Sequence, residues 1–153
     1  MRLPTRVHIT WEDDATLKLD ADAGTQNRML RFRAPAQRGD RSWQGNSAAM
    51  WDTMPVGRAM FGATDGQVPS GALKVVTTNL KPGYLRKNGV PYSENAVLTE
   101  YFNVVGDQAT GRWLIVTSVV DDPTYLTQRF ITSSHFKQEA DGSKWNPTAC
   151  TNR

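Results

Sequence analysis

Residues 96–136 read AVLTEYFNVVGDQATGRWLIVTSVVDDPTYLTQRFITSSHF, and this stretch decides the fold prediction. It contains three runs rich in Val, Ile, Thr, Tyr and Phe, which are separated by short segments with Gly, Asp and Pro. Runs of this composition predict β-strands, and the segments between them predict turns. Parallel strands need a crossover of about a dozen residues or more. Because both connections are shorter than that, we expect an antiparallel meander.

The first half of the chain shows the same pattern. Val7, Ile9 and Trp11 alternate with polar residues, and a period of two predicts a strand with one buried face. Further strands are predicted at about residues 17–20, 25–33, 42–53 and 72–79. Two long segments rich in Gly and Pro, 55–71 and 80–95, are predicted as loops that line one opening of the fold.

The strand pattern predicts an all-β fold, since no stretch holds the apolar stripe of a long amphipathic helix. Short strands joined by turns favour a closed barrel, which also removes exposed sheet edges. We therefore expect a single antiparallel up-and-down β-barrel of about eight strands. The length of 153 residues, with 39% hydrophobic and 22% charged residues, fits one domain over residues 1–153.

Composition excludes several classes of partner. No apolar run approaches the roughly 18 residues that a membrane helix needs. The net charge is +3, but the 18 Lys and Arg residues are dispersed along the chain rather than clustered, which argues against nucleic-acid binding. The single Cys150 has no second cysteine for a disulfide or a Cys-based metal site. We expect no metal and no cofactor, and the sequence leaves the oligomeric state open.

No complete catalytic motif is present. The chain lacks a phosphate-binding loop, a dinucleotide-binding glycine motif, a Gly-x-Ser-x-Gly elbow and a His-Glu-x-x-His pair. His8 and His135 would approach each other if the first strand closed onto the last; the alternative is two unrelated histidines facing solvent. Asp121 and Asp122 precede Pro123 and predict a turn in which Asp caps backbone amides.

Glu100 is the most informative polar residue, because it lies within an apolar strand. If it faces inwards it needs a partner, since an unpaired buried polar group costs about 1–3 kcal/mol. Arg129, which shares a strand face with His135, is the predicted partner. Under this interpretation Glu100, Arg129 and His135 are the candidate catalytic residues. The alternative is that the opposite face of the strand points inwards and Glu100 is solvated.

Two segments carry a resemblance to known proteins. They are WQGNSAAMWD at 43–52 and VVDDPTYLTQRFITSSHF at 119–136. The chain resembles a group of uncharacterised small exported bacterial β-barrel proteins, and more loosely it is similar to the lipocalin-like barrels, or calycins. The resemblance implies a barrel with one open mouth and a periplasmic or secreted protein. The N-terminal sequence carries no signal peptide, as expected of a mature or trimmed chain.

A barrel interior of this composition predicts binding of a small apolar or amphipathic molecule, since eight strands leave room for one small ligand. The expected ligand-binding residues are Trp43, Trp51, Tyr84, Tyr101, Phe102 and Phe130. One alternative is a cofactor-free isomerase, lyase or hydrolase with acid and base residues at the barrel mouth. Another is a protein-interaction surface on the basic, Tyr-bearing segment 81–92.

Overall fold

The computed structural model describes residues 5–33, 39–53, 71–86, 89–107, 109 and 111–149. These residues form ten strands and no helix. The strands are β1 (Val7–Asp13), β2 (Thr16–Ala21), β3 (Gln26–Arg31), β4 (Asn46–Thr53), β5 (Gly71–Thr78), β6 (Gly83–Tyr84), β7 (Pro91–Tyr92), β8 (Val97–Val105), β9 (Trp113–Asp121) and β10 (Phe130–Lys137). Within this part of the chain, therefore, no helix has the length and apolarity to span a membrane.

Eight of the strands form one curled sheet in the order β1-β2-β3-β4-β5-β8-β9-β10, and β6 and β7 form a separate hairpin. The predicted meander is confirmed as β8, β9 and β10, which pair antiparallel. The expectation of a closed, wholly antiparallel barrel is wrong. The sheet is mixed and forms a half-barrel, because β3 and β4 are parallel and no ladder joins β1 to β10 among the described residues.

The parallel pair explains why the barrel stays open. Residues 32–45 connect β3 to β4, which is long enough for the chain to cross from one end of the sheet to the other. This crossover interrupts the up-and-down alternation, so that β1 and β10 run in the same direction. Closing the barrel would require a second parallel pair, and parallel pairing is slightly less stable per residue. Gly45 ends the crossover with a φ of 61° and lies so close to β5 that a Cβ there would meet the carbonyl oxygen of Thr78.

The concave face of the half-barrel holds the core. Burial alternates along β2, β5 and β10, and cross-strand partners share a face. The central core residues are Leu17, Leu19, Leu30, Ala49, Leu73, Val75, Phe102 and Val116. The inward positions of β10 are less buried than those of β2, because β10 is an edge strand.

The chain beyond β10 crosses the gap between the two edge strands. Gln138 N donates to the Arg112 carbonyl beside β9, and Thr148 N donates to the Asp22 carbonyl at the opposite edge. We call residues 138–148 the C-terminal strap. The ring of Trp145 packs edge-on against His8 with 6.0 Å between centroids. Trp145 thus tethers the end of the chain to β1, as expected for an apolar residue in a polar tail.

The two segments predicted as long loops differ in their position. Segment 80–95 contains the β6–β7 hairpin. Residues 55–70 of segment 55–71 lie outside the described residues, but its last residue, Gly71, pairs with Thr53 at one end of β5. Leu80 follows the other end of β5. The two segments therefore attach to opposite ends of the sheet, which argues against the expected shared opening.

Candidate functional site

A buried polar network crosses the centre of the concave face. Its members are Arg28 on β3, Ser47 on β4, Thr77 on β5 and Glu100 on β8, and all four are buried. Ser47 and Thr77 are cross-strand partners, and their hydroxyl oxygens lie 2.8 Å apart. Arg28 and Glu100 reach this pair from the strands on either side. We call these residues the Arg28 network.

An ion pair is the strongest contact of the Arg28 network. Arg28 Nη2 lies 2.7 Å from Glu100 Oε2, and the two side chains are only 8% and 9% exposed. The same nitrogen also donates to Thr77 Oγ1 at 3.0 Å and to Ser47 Oγ at 3.2 Å. Removing two charges from water is costly, and additional hydrogen bonds of this kind offset part of that cost. The network therefore holds a charge pair inside an otherwise apolar sheet.

One donor of the Arg28 network remains without a protein partner. Arg28 Nε is buried and forms no hydrogen bond within the described chain. Beside the ion pair lies a cavity of about 20 Å³, whose polar lining comes from Arg28, Glu100, Ser118 and Ser134. We call it the inner cavity. It has room for one water-sized group, since a water molecule needs about 10–15 Å³ by this measure.

A much larger cleft opens beside the inner cavity. It has a volume of about 1120 Å³ and lies between β1, β10 and the C-terminal strap. We call it the edge cleft. Its apolar floor is formed by Val7, Leu114 and Phe136, and these three residues also line the inner cavity. The edge cleft and the inner cavity therefore adjoin each other at these three side chains.

The rim of the edge cleft carries more positive than negative charge. Of its basic residues, Lys144 is paired with Glu139 at 2.7 Å. This hydrogen bond from Lys144 is the main cause of the lowered pKa of Glu139. Arg112 and Lys137 also line the cleft, and no carboxylate in the described ranges lies within ion-pair distance of either. The rim therefore attracts anions weakly, in a solvated position.

Two further buried carboxylates have a structural role. Asp122 is fully buried and accepts hydrogen bonds from the backbone and hydroxyl of Ser93 and from the backbone of Thr124. Burial alone raises the pKa of Asp122, but these hydrogen bonds outweigh it and hold the pKa below its ordinary value of 3.8. Asp22 caps Arg6 and Ala23 in the same way at the β2–β3 turn. The predicted Asp-capped turn is thus confirmed for Asp122.

The three candidate catalytic residues do not meet. Glu100 faces inwards, the first of the two alternatives, but its predicted partner is wrong: Glu100 pairs with Arg28, and Arg129 Nε contacts the exposed Asp121 at 3.0 Å. His135 lies on the exposed face of β10, opposite Phe136, which packs against the core, and Arg129, which precedes the strand, is exposed as well. His135 borders the edge cleft and lies 3.2 Å from the Ser133 hydroxyl. A catalytic role for these residues stays a prediction.

The six residues expected to bind a ligand are dispersed over the molecule. Phe102 is buried and lines the inner cavity. Phe130 lies under the guanidinium of Arg86. Tyr101 follows the inward-facing Glu100 on β8, so its own side chain lies on the convex face, beside Lys74. The remaining three are exposed: Trp43, Trp51 and Tyr84. None of the six lines the edge cleft.

Sequence reasoning missed Arg28, although a signal was present. Arg28 shares the inward face of β3 with Leu30 at period two, so the alternation alone places a charge among core residues. The edge cleft had no such signal, because it depends on which strands fail to pair. His8 and His135 both line this cleft. Each histidine is therefore near the gap between β1 and β10, which a closed barrel would not have.

Neither metal ligands nor similarity to known proteins indicates a further site among the described residues. No group of three or more His, Cys, Asp or Glu side chains suited to a metal ion occurs in the part of the chain that the structure describes. No protein-family model, curated protein or solved structure matches the chain. The resemblance to exported bacterial proteins and the lipocalin-like assignment therefore stay predictions.

Proposed function

We propose that the protein binds a small apolar or amphipathic molecule in the edge cleft. The observation that carries this proposal is the position of the cleft, whose apolar floor also lines a small cavity beside the Arg28–Glu100 ion pair. Small-molecule sites are typically concave, mostly apolar and supplied with a few convergent polar groups. The edge cleft and the inner cavity together have these properties.

The energetic reason for binding is incomplete burial along the two edge strands. Val7, Leu114 and Phe136 pack against the core but stay only partly buried. A ligand that covers them gains about 25 cal/mol for each Å² of apolar surface removed from water. The volume of about 1120 Å³ accommodates a molecule of ordinary ligand size, since such pockets measure about 300–1,000 Å³.

A neutral fluorescent dye tests this proposal. N-phenyl-1-naphthylamine brightens in apolar surroundings, and we expect it to bind the protein saturably. Val7→Phe places a ring in the edge cleft and should weaken dye affinity by about tenfold, or about 1.4 kcal/mol. The matched control is Ile131→Phe on the outer face of β10, where Ile131 is 61% exposed. Absence of saturable binding, or equal affinities for the two variants, would refute binding in the edge cleft.

The enzymatic alternative has no corresponding observation in its favour. It required Glu100, Arg129 and His135 at one mouth, and these residues lie on different faces of the sheet. We therefore propose no reaction. A periplasmic or secreted location remains part of the proposal, with a test of its own: fractionation of cells that express the native gene.

A further inference from the structure

We infer that the ligand of the edge cleft is an amphipathic anion, whose apolar part covers the floor of the cleft and whose negatively charged head lies at the rim beside Arg112 and Lys137. This inference rests on the proposed function, because it assigns a chemical class and an orientation to the molecule that binds in the edge cleft. The head stays in contact with water, and the charge of the two basic residues selects it.

Arg112 lies at one end of the apolar floor. The ladder between β9 and β10 pairs Leu114 with Phe136, and it continues beyond the strands through the hydrogen bond from Gln138 N to the Arg112 carbonyl at 2.8 Å. Because side chains alternate along an extended chain, Arg112 shares a face with Leu114, two residues further on. Both residues line the edge cleft. A molecule that lies along the floor therefore has one end near Arg112.

Val104 adds exposed apolar surface at this end of the floor. It is the cross-strand partner of Leu114, it lines the edge cleft, and it is 60% exposed. Removing such surface from water is favourable. The apolar part of a ligand therefore gains from covering Val104 and Leu114, and this position leaves its polar end beside Arg112.

Lys137 places a second positive charge close to the first. It is the cross-strand partner of Trp113, the residue that follows Arg112. On the other side of Arg112, a Cβ built on Gly111 would lie 3.7 Å from Lys137 Cε. Lys137 thus approaches both chain neighbours of Arg112. Two like charges at adjacent positions repel each other, and an anion bound beside both of them offsets that repulsion.

The other charged groups of the edge cleft are already engaged. Four basic and two acidic side chains line it, namely Arg6, Arg112, Lys137, Lys144, Glu139 and Asp141. Arg6 and Lys144 each have a carboxylate within 3.5 Å. Asp141 accepts a hydrogen bond from a backbone amide of the C-terminal strap. Arg112 and Lys137 are therefore the two basic residues of the lining whose charge no carboxylate of the described ranges balances in an ion pair.

An arginine and a lysine together favour an oxyanion as the head group. A planar guanidinium can donate two parallel hydrogen bonds to a carboxylate or phosphate, and an ammonium supplies a compact charge. Both side chains repel an alkylammonium, so the sign of the head group decides affinity. Because the rim is solvated, each contact contributes only modestly. We therefore expect a preference of about tenfold rather than an absolute selection.

Displacement of bound N-phenyl-1-naphthylamine by two single-chain amphiphiles at neutral pH tests the inference. Decanoate and decylamine share one alkyl chain and carry opposite charges. We expect decanoate to bind about tenfold more tightly than decylamine. Equal affinities, or a preference for decylamine, would overturn the inference but leave the proposed function standing. Failure of the dye itself to bind would remove both.

Two double variants locate the preference. In Arg112→Gln/Lys137→Gln the neutral dye should still bind, and the preference for decanoate should fall to about twofold or less. The matched control is Lys74→Gln/Lys81→Gln, which lowers the net charge by the same amount at two residues outside the edge cleft, beside Tyr101 and Trp43. The control should keep the full preference. A preference that survives the first double variant, or falls equally in both, would refute the assignment to Arg112 and Lys137.

Discussion

Asp122 and Glu100 are both buried carboxylates, yet their surroundings differ. Asp122 is saturated by backbone and hydroxyl donors from a turn and from Ser93, all of them neutral groups. Glu100 has a charged partner, Arg28, whose Nε has no hydrogen-bond acceptor among the described residues. The first arrangement joins two segments and leaves nothing unsatisfied. The second holds a charge pair among core residues and leaves one donor of that pair without an acceptor in the described chain.

Breaking the ion pair should have the largest effect on stability. Arg28→Met leaves the Glu100 carboxylate buried without a cation, and we expect the free energy of unfolding to fall by about 3–5 kcal/mol. Adding Glu100→Leu should recover most of that loss, because an apolar pair no longer bears the desolvation cost. Urea denaturation of the single and double variants measures both changes. A double variant as unstable as the single one would show that the network itself stabilises the fold.

Replacing Asp122 should lower the free energy of unfolding by a smaller amount, and this loss should depend on pH. Asp122→Asn weakens hydrogen bonds to a charged group, so we expect a loss of about 2 kcal/mol at neutral pH. Because the folded-state pKa lies below the ordinary 3.8, the carboxylate contributes stability above that value and loses it as the pH falls through the folded pKa. The difference between the two proteins should therefore be constant from pH 7 to about pH 5 and shrink below about pH 4.

Urea denaturation at a series of pH values measures this difference. Asp121→Asn serves as the control, since Asp121 is exposed and precedes the same turn. A difference between wild type and Asp122→Asn that stays unchanged down to pH 2 would contradict the assignment of the effect to the ionised carboxylate.

Replacing Arg129 should have the smallest effect on stability. The result allows a direct comparison of the exposed Arg129 with the buried Arg28. The pair of Arg129 with Asp121 is solvent-exposed on both sides, and exposed ion pairs contribute about 0–1 kcal/mol. Arg129→Gln should leave stability and dye binding close to those of the wild type. A marked loss of binding in this variant would restore Arg129 to the site and argue for a different conformation in solution.

The sequence predicted those parts of the fold that depend on the local pattern of apolar, polar and turn residues. The meander β8–β10 follows from period-two runs and short turns. The direction of Glu100 was left open between two strand faces, and its burial shows that it points inwards. The parallel pairing of β3 with β4 depends on the path of residues 32–45, which alternation does not encode.

The site was less predictable because its partners are distant in sequence. Glu100 and Arg28 are separated by 72 positions, whereas the predicted partner Arg129 was chosen from the neighbouring meander. Strand order places β8 next to β5, with β4 and then β3 on the far side of β5, so Glu100 faces the half of the sheet that carries β3. The edge cleft arises from two strands that do not pair, and no single segment carries a signature of that gap.

Amide chemical shifts of ¹⁵N-labelled protein test the central claim most directly. During titration with N-phenyl-1-naphthylamine, we predict that the largest changes occur on β1, β9 and β10, at Val7, Leu114 and Phe136 around the floor of the edge cleft. Tyr101 on the convex face and Ile131 on the outer face should change little. Changes centred instead on the exposed Trp11 and Trp51, or no saturable change at all, would contradict ligand binding in the edge cleft.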